Sequence, residues 1–228
     1  MICVNLLFDN VARVRARISE ACRRSGRNEN EIRLVAVSKG VAVEAIRSAI
    51  ASGLRDFGEN RIQEAAQKIS QLAVPARWHL IGTLQGNKAA RALDLGFETI
   101  QSMDSADLAR RLSRLALERG TRQDVLLEVN IAGEQAKHGW ETSDLIGEAR
   151  ALESLEGIRV AGMMCMGPQA REAEQMRPYF KKARLLWREL IGVFPEAEIL
   201  SMGMSQDFEV AIEEGATMVR VGRAIFKP

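Results

Sequence analysis

Eight short apolar runs, each followed by a stretch with helical spacing, recur along this chain at intervals of roughly 25 residues. They are Ile32 to Ser38, Leu54 to Gly58, Trp78 to Gly82, Thr99 to Met103, Val125 to Ile131, Ile158 to Met164, Glu198 to Met202 and Met218 to Val221. The segment Ser105 to Arg119 illustrates the partner element: Leu108, Leu112, Leu115 and Ala116 fall on one side, and Gly120 follows as a stop. Strands alternating with helices demand parallel pairing, and eight such units close into an α/β (β/α)8 TIM barrel. A doubly wound open sheet is the competing architecture. It would place a glycine-rich phosphate loop after its first strand, where this chain reads Ser38-Lys39-Gly40-Val41. Upstream of the repeat, Val11, Val14, Ile18 and Cys22 mark an extra N-terminal amphipathic helix. At 228 residues the length suits one barrel better than two smaller domains, so residues 1–228 are read as a single domain.

The charge balance is nearly even, 32 basic against 30 acidic residues. The basic density of Arg13 to Arg27 and Arg110 to Arg122 lies on helices with acids nearby and no aromatic interleaving. That is the pattern of a solvated or docked helix face, so no nucleic-acid partner is expected. No apolar run approaches the ~20 residues needed to cross a bilayer, so no membrane partner is expected either. Three cysteines, Cys3, Cys22 and Cys165, are odd in number and lack metal or redox spacing. A reducing, cytoplasmic setting without structural disulfides follows. The two histidines, His79 and His138, are too few and too separated for a zinc site, and no metal is expected. A monomer is the default.

In a barrel the carboxyl ends of the strands form the active-site face. Those ends collect Lys39, Gly58-Glu59-Asn60, His79 with Gly82, Asp104, Asn130, Met164, the run Ser201 to Ser205, and Arg220 to Arg223. Each has an ordinary explanation when taken alone: Asp104 reads first as a helix cap, His79 as a satisfied core histidine, Met202 and Met204 as gap fillers. Lys39 is the member with chemistry. A partly desolvated amine at a barrel mouth can condense with an aldehyde, and pyridoxal phosphate is the leading candidate. The turns after the seventh and eighth strands carry Gly203 and Gly222, where small residues either admit a phosphate to backbone N–H groups or simply permit tight turns. A sugar-phosphate aldolase using Lys39 without cofactor is a further alternative.

Five strings then match a known family in order: Val35-Ala36-Val37-Ser38-Lys39; Phe57-Gly58-Glu59-Asn60; Trp78-His79-Leu80-Ile81-Gly82 with Leu84-Gln85-Gly86-Asn87-Lys88; Leu200 to Ser205; and Met218 to Gly222. Over nearly its whole length the chain resembles the YggS-type pyridoxal phosphate homeostasis proteins, whose barrel is that of the alanine racemase N-terminal domain. The resemblance implies pyridoxal 5′-phosphate (PLP) held as an internal aldimine on Lys39. Ser201, Gly222, Arg223 and the backbone around Met204 and Ser205 would hold the phosphate. Arg220 would face the pyridine nitrogen, with Asn60 and His79 just outside the direct contacts. An arginine there disfavours a second positive charge on the ring, which makes the cofactor a poorer electron sink.

Racemisation needs an acid and a base on opposite faces of the substrate carbon. The related racemases take one from a tyrosine in an additional β domain. Here the single tyrosine, Tyr179, falls in the helical stretch Met176 to Leu190, and no such domain is expected before the end at Pro228. The expectation is a non-catalytic carrier that buffers PLP and delivers it to PLP-dependent apo-enzymes, with a PLP-dependent amino-acid racemase or related enzyme as the alternative. Three departures from the family pattern stand out. Gly40-Val41-Ala42-Val43 replaces a Thr and a Pro after the lysine, which predicts a looser loop; Arg223 stands where a small hydroxyl residue is frequent; and Arg61 stands where an aromatic is frequent.

Overall fold

The computed structural model describes residues 4–72, 74–133, 139–168 and 172–227; His138 and Cys3 lie outside them. The strands are β1 (Arg33–Val37), β2 (Asp56–Glu59), β3 (Arg77–Leu80), β4 (Thr99–Met103), β5 (Gln123–Asn130), β6 (Trp140–Glu141), β7 (Ile158–Cys165), β8 (Ile199–Ser201) and β9 (Met218–Val221). The α-helices are α1 (Val4–Ser25), α2 (Val43–Ala51), α3 (Ile62–Gln71), α4 (Ala89–Asp94), α5 (Ala106–Leu117), α6 (Leu145–Ala149), α7 (Arg177–Val193), α8 (Phe208–Glu213) and α9 (Arg223–Phe226). Strands run in the order β4-β3-β2-β1-β9-β8-β7-β5-β6, and a further β4–β5 pairing closes the ring. Every pairing is parallel. The result is the closed eight-stranded TIM barrel that the repeat predicts, with each expected strand present.

β6 was not legible in the sequence. This two-residue strand pairs with the carboxyl end of β5, Val129 opposite Trp140, above the point where β4 ends. The Trp140 indole N–H donates to the Met103 carbonyl at 2.7 Å, so the stub covers the ladder edge that the short β4 leaves open.

Alternation along the strands sorts two kinds of core. Outward-facing Ala36, Phe57, Leu80, Ile100, Leu127, Met163, Leu200 and Val219 are fully buried beneath the helices. Inward-facing Leu126, Ala161 and Met164 form a small separate apolar cluster inside the ring. Polar side chains share the interior with them: the Ser201 hydroxyl donates to Gln101 Oε1 at 2.8 Å, and Gln101 Nε2 reaches Met218 Sδ at 3.1 Å. One expected cap moves by one residue. Ser105, not Asp104, caps α5, its hydroxyl accepting from the Leu108 N–H at 3.4 Å.

Val11, Val14, Ile18 and Cys22 are buried, so the extra helix packs through the stripe its spacing predicts. Its arginines are partly docked. Arg17 pairs bidentately with Glu209 on α8, Arg24 pairs with Glu213, and Arg27 donates to the Ile212 and Ala216 carbonyls. At the other end of α1 the buried Asn10 amide donates to the Ile225 and Lys227 carbonyls at 3.2 and 3.3 Å, tying the helix to the last turn of the chain. Asn10→Ala leaves those acceptors unpaired and should cost about 1–3 kcal/mol in chemical denaturation. An unchanged midpoint would show that water replaces the amide.

Candidate functional site

Closure of the ring between β1 and β9 creates the site. Val35 lies opposite Arg220 and Ala36 opposite Val221, so the chain leaving β1 at Ser38-Lys39 and the chain leaving β9 at Gly222-Arg223 emerge side by side. A Cβ on Gly222 would lie 3.2 Å from the Val37 carbonyl oxygen. Lys39 is exposed and lines a cleft of about 690 Å³ together with Val37, Gly222, Arg223 and Phe226. The structure therefore brings Lys39, Gly222 and Arg223 together from opposite ends of the sequence.

The turn after β8 meets the chain leaving β9. The Ser205 hydroxyl oxygen accepts from the Gly222 and Ala224 N–H groups at 3.3 and 3.4 Å, so two backbone donors of the β9 turn converge on that oxygen. Gly203, at φ +90°, shapes this turn; a Cβ there would come 2.5 Å from Ala211 Cβ and 2.9 Å from Phe208 Cα. Met204 is exposed, and its N–H donates to Asp207 Oδ1 at 2.6 Å. Burial raises the Asp207 carboxyl above its ordinary range, against the lowering effect of the Met204 N–H.

Ser201 is placed elsewhere. Its hydroxyl is fully buried within the ring, donating to Gln101 and accepting from Arg220 Nη1 at 2.5 Å, rather than joining the Ser205 hydroxyl and the Gly222 N–H. Arg220 is itself buried, and its Nη2 donates to the Cys165 carbonyl at 2.9 Å. Burial lowers the guanidinium's pKa and pushes the Cys165 thiol up to about 12, which keeps that thiol protonated and inert. Gln101, which orients Ser201 beneath Arg220, was missed in the sequence because mid-strand glutamine carries no motif.

Asn60 is half-buried directly after β2, and its backbone packs so closely on the β3 turn that a Cβ on Gly82 would lie 2.4 Å from its carbonyl oxygen. His79 is not gathered with these residues. Fully buried, it spends Nδ1 on Thr99 Oγ1 at 2.7 Å and Nε2 on Asp56 Oδ1 at 3.0 Å, partners at the opening residues of β4 and β2. It is a satisfied core histidine. Burial raises the Asp56 carboxyl, but the hydrogen bonds from His79 and from Arg77, which grips both oxygens, bring it below the ordinary range.

A second group missed in the sequence lies under Lys39. Lys68 on α3, buried, donates to Ser38 O, Glu59 Oε1 and Glu64 Oε1, each at 2.6 Å. Ser38 Oγ also donates to Glu59 Oε1 at 2.6 Å, and the Gly40 N–H donates to Glu64 Oε1 at 2.6 Å. The loop expected to be loose is tied down, with Gly40 at φ +69°. The Glu64/Lys68 spacing on a helix was the available signal, but it reads first as a surface pair. Among the described residues no group of three or more His, Cys, Asp and Glu gathers to hold a metal, and no helix is long and apolar enough to cross a membrane.

The model of the family described as "Alanine racemase, N-terminal domain" matches residues 10–228. The pyridoxal phosphate homeostasis protein of Aquifex aeolicus (strain VF5) is 42% identical over 220 residues, covering 96% of each chain. The chain belongs to the pyridoxal phosphate homeostasis protein family. Within the family, PipY of Synechococcus elongatus PCC7942, solved with PLP bound, superposes with a TM-score of 0.84 at 36% identity, covering 96% of this chain and 99% of that one. Alanine racemase of Clostridium difficile 630 in complex with cycloserine gives a TM-score of 0.77 at 16% identity and shares the fold; the match covers 95% of this chain but 59% of the racemase.

Because Asp56 is depressed when folded, its stabilisation is present above its unfolded pKa of about 3.9 and disappears as the pH falls through the lower folded value. Asp56→Asn should therefore be less stable than wild type by about 1–3 kcal/mol at neutral pH, with the gap closing below about pH 4. Denaturant midpoints across pH check this; a gap that persists at low pH would remove Asp56 as its source.

Proposed function

We propose that this chain binds pyridoxal 5′-phosphate through the Lys39 amine and serves in intracellular PLP homeostasis, buffering the cofactor and delivering it without catalysing a strong reaction of its own. PLP supplies an aldehyde that condenses reversibly with a primary amine, together with a phosphate dianion. The observation that carries the reading is the adjacency of β1 and β9, which sets the exposed Lys39 and Gly222 on one cleft, next to the turn where the Gly222 and Ala224 N–H groups converge on the Ser205 hydroxyl oxygen.

The residues present fit the cofactor. Two backbone N–H groups that converge on one hydroxyl oxygen point in directions that suit a phosphate oxygen better than a neutral group, and the exposed Arg223 guanidinium adds charge where a hydroxyl is frequent in relatives. A side chain at Gly203 would collide with Phe208 and Ala211, so the path of this turn beside Ser205 depends on glycine. Arg220 supplies a fixed positive charge inside the ring. Facing the pyridine nitrogen, it would disfavour ring protonation.

The carrier reading rests on what surrounds Lys39. Tyr179, the candidate second proton donor, is half-buried on α7 and packs against the apolar core. An amine that can exchange its bound aldehyde with another amine is sufficient for storage and transfer. PLP-dependent apo-enzymes are the recipients this chemistry fits. The free, buried Cys22 and Cys165 agree with a reducing cytoplasmic setting, and we read the barrel as a single domain acting as a monomer.

With equimolar PLP the wild type should develop the visible absorbance of amine-bound cofactor. Lys39→Ala should lack it, and incubation with L-alanine should not yield the D-enantiomer. No band in the wild type would overturn the binding reading; enantiomer conversion abolished by Lys39→Ala would overturn the carrier reading in favour of a racemase. Gly203→Val should weaken PLP at least tenfold, about 1.4 kcal/mol, while leaving pyridoxal without phosphate unaffected. Equal losses for both would place Gly203 outside phosphate binding.

A further inference from the structure

We propose that helix α3 positions Lys39: the Lys68 ammonium and the Glu64 carboxylate hold the two peptide groups that flank it, and Glu59 anchors that grip from β2. The inference rests on the reading of Lys39 as the attachment amine and extends it to the groups that set its root.

Ser38 and Gly40 are the immediate neighbours of Lys39. The Ser38 carbonyl accepts from Lys68 Nζ and the Gly40 N–H donates to Glu64 Oε1, both at 2.6 Å. The backbone on either side of Lys39 is thus held by side chains one helical turn apart on α3, while the lysine side chain itself remains exposed in the cleft. Lys68 has three ammonium protons and three acceptors, Ser38 O, Glu59 Oε1 and Glu64 Oε1, so its hydrogen-bonding capacity is filled. Glu59 sits at the end of β2, fully buried, and the Ser38 hydroxyl donates to the same oxygen that Lys68 uses.

Stability alone does not explain this arrangement. Burying an ammonium and a carboxylate incurs a desolvation penalty that a well-packed apolar pair of similar volume would avoid. Glu59 Oε2 also has no hydrogen-bond partner, the one such buried side-chain atom found among the described residues. What an apolar pair cannot do is hold a carbonyl and an N–H by directional bonds on both sides of a chosen residue. Gly40, in the left-handed region at φ +69°, lets the chain turn so that its N–H faces Glu64. The long, flexible lysine stem then searches for its aldehyde from a fixed origin, which raises its effective concentration beside the Ser205 and Gly222 donors.

The test uses the full chain in three measurements: hydrogen exchange at the Gly40 amide without cofactor, the rate of PLP uptake by absorbance, and affinity for pyridoxine 5′-phosphate, which has the phosphate but no aldehyde. Lys68→Met and Glu64→Ala should each speed Gly40 exchange at least about tenfold by opening the loop locally. Uptake should slow by about 10- to 100-fold from the displaced amine, with pyridoxine phosphate affinity unchanged. Glu64→Gln, which keeps an acceptor oxygen, should recover part of both effects. Unchanged Gly40 exchange in the variants overturns the proposal, as does uptake that falls in step with pyridoxine phosphate affinity, the mark of general damage. Glu64 is partly exposed, so its variants decide the matter if Lys68→Met fails to fold. A wild type that binds pyridoxine phosphate but takes up no PLP would sink the reading of Lys39 itself, and Gly40 exchange would still report on the grip.

Discussion

The hydrogen-bonded closure of β1 against β9 is the constraint from which the rest follows. A parallel barrel has no edges, so the first and last strands must meet, and whatever follows each of them is forced into contact at the carboxyl face. For this chain that means an amine after β1 and two converging backbone N–H groups after β9. The register matters as much as the pairing. Val35 opposite Arg220 places the buried guanidinium inside the ring, on the same inward-facing row as Ser201 and Gln101.

Polar groups inside the ring are tolerated because they satisfy one another. Gln101 accepts from Ser201, Ser201 accepts from Arg220, and Arg220 also donates to the Cys165 carbonyl. Removing any one would leave a buried partner unpaired, which is costlier than never having buried the set. The same logic holds at the opposite end of the strands, where Thr99, His79, Asp56 and Arg77 form a chain of bonds. The two sets place one polar network toward the carboxyl ends of the strands and the other at their starts.

Much of this was legible from residue order because period and pattern are set by local physics. All eight barrel strands, the buried stripe of α1 and the meeting of Lys39 with Gly222 and Arg223 followed from alternation and from the rule that strand ends share one face. What escaped depends on three dimensions. β6 is two residues long and exists only because β4 stops short. The cap at Ser105 differs from Asp104 by one position, which spacing cannot resolve. Ser201 and Ser205 are equivalent as letters, yet one hydroxyl turns into the ring and the other toward the β9 turn. His79 lies in a matching string, yet its ring faces the strand starts. The grip of α3 on the Lys39 loop joins residues that no motif links, and its most telling member, a filled and buried ammonium, reads in sequence as an ordinary surface lysine.

The central claim is that Lys39 is the residue to which the cofactor attaches. Borohydride reduction of the protein saturated with PLP, followed by peptide mapping by mass spectrometry, tests it most directly. The account predicts one dominant pyridoxyl modification, on Lys39, with the buried Lys68 unmodified. A dominant adduct on any other lysine, or none after reduction, would contradict it.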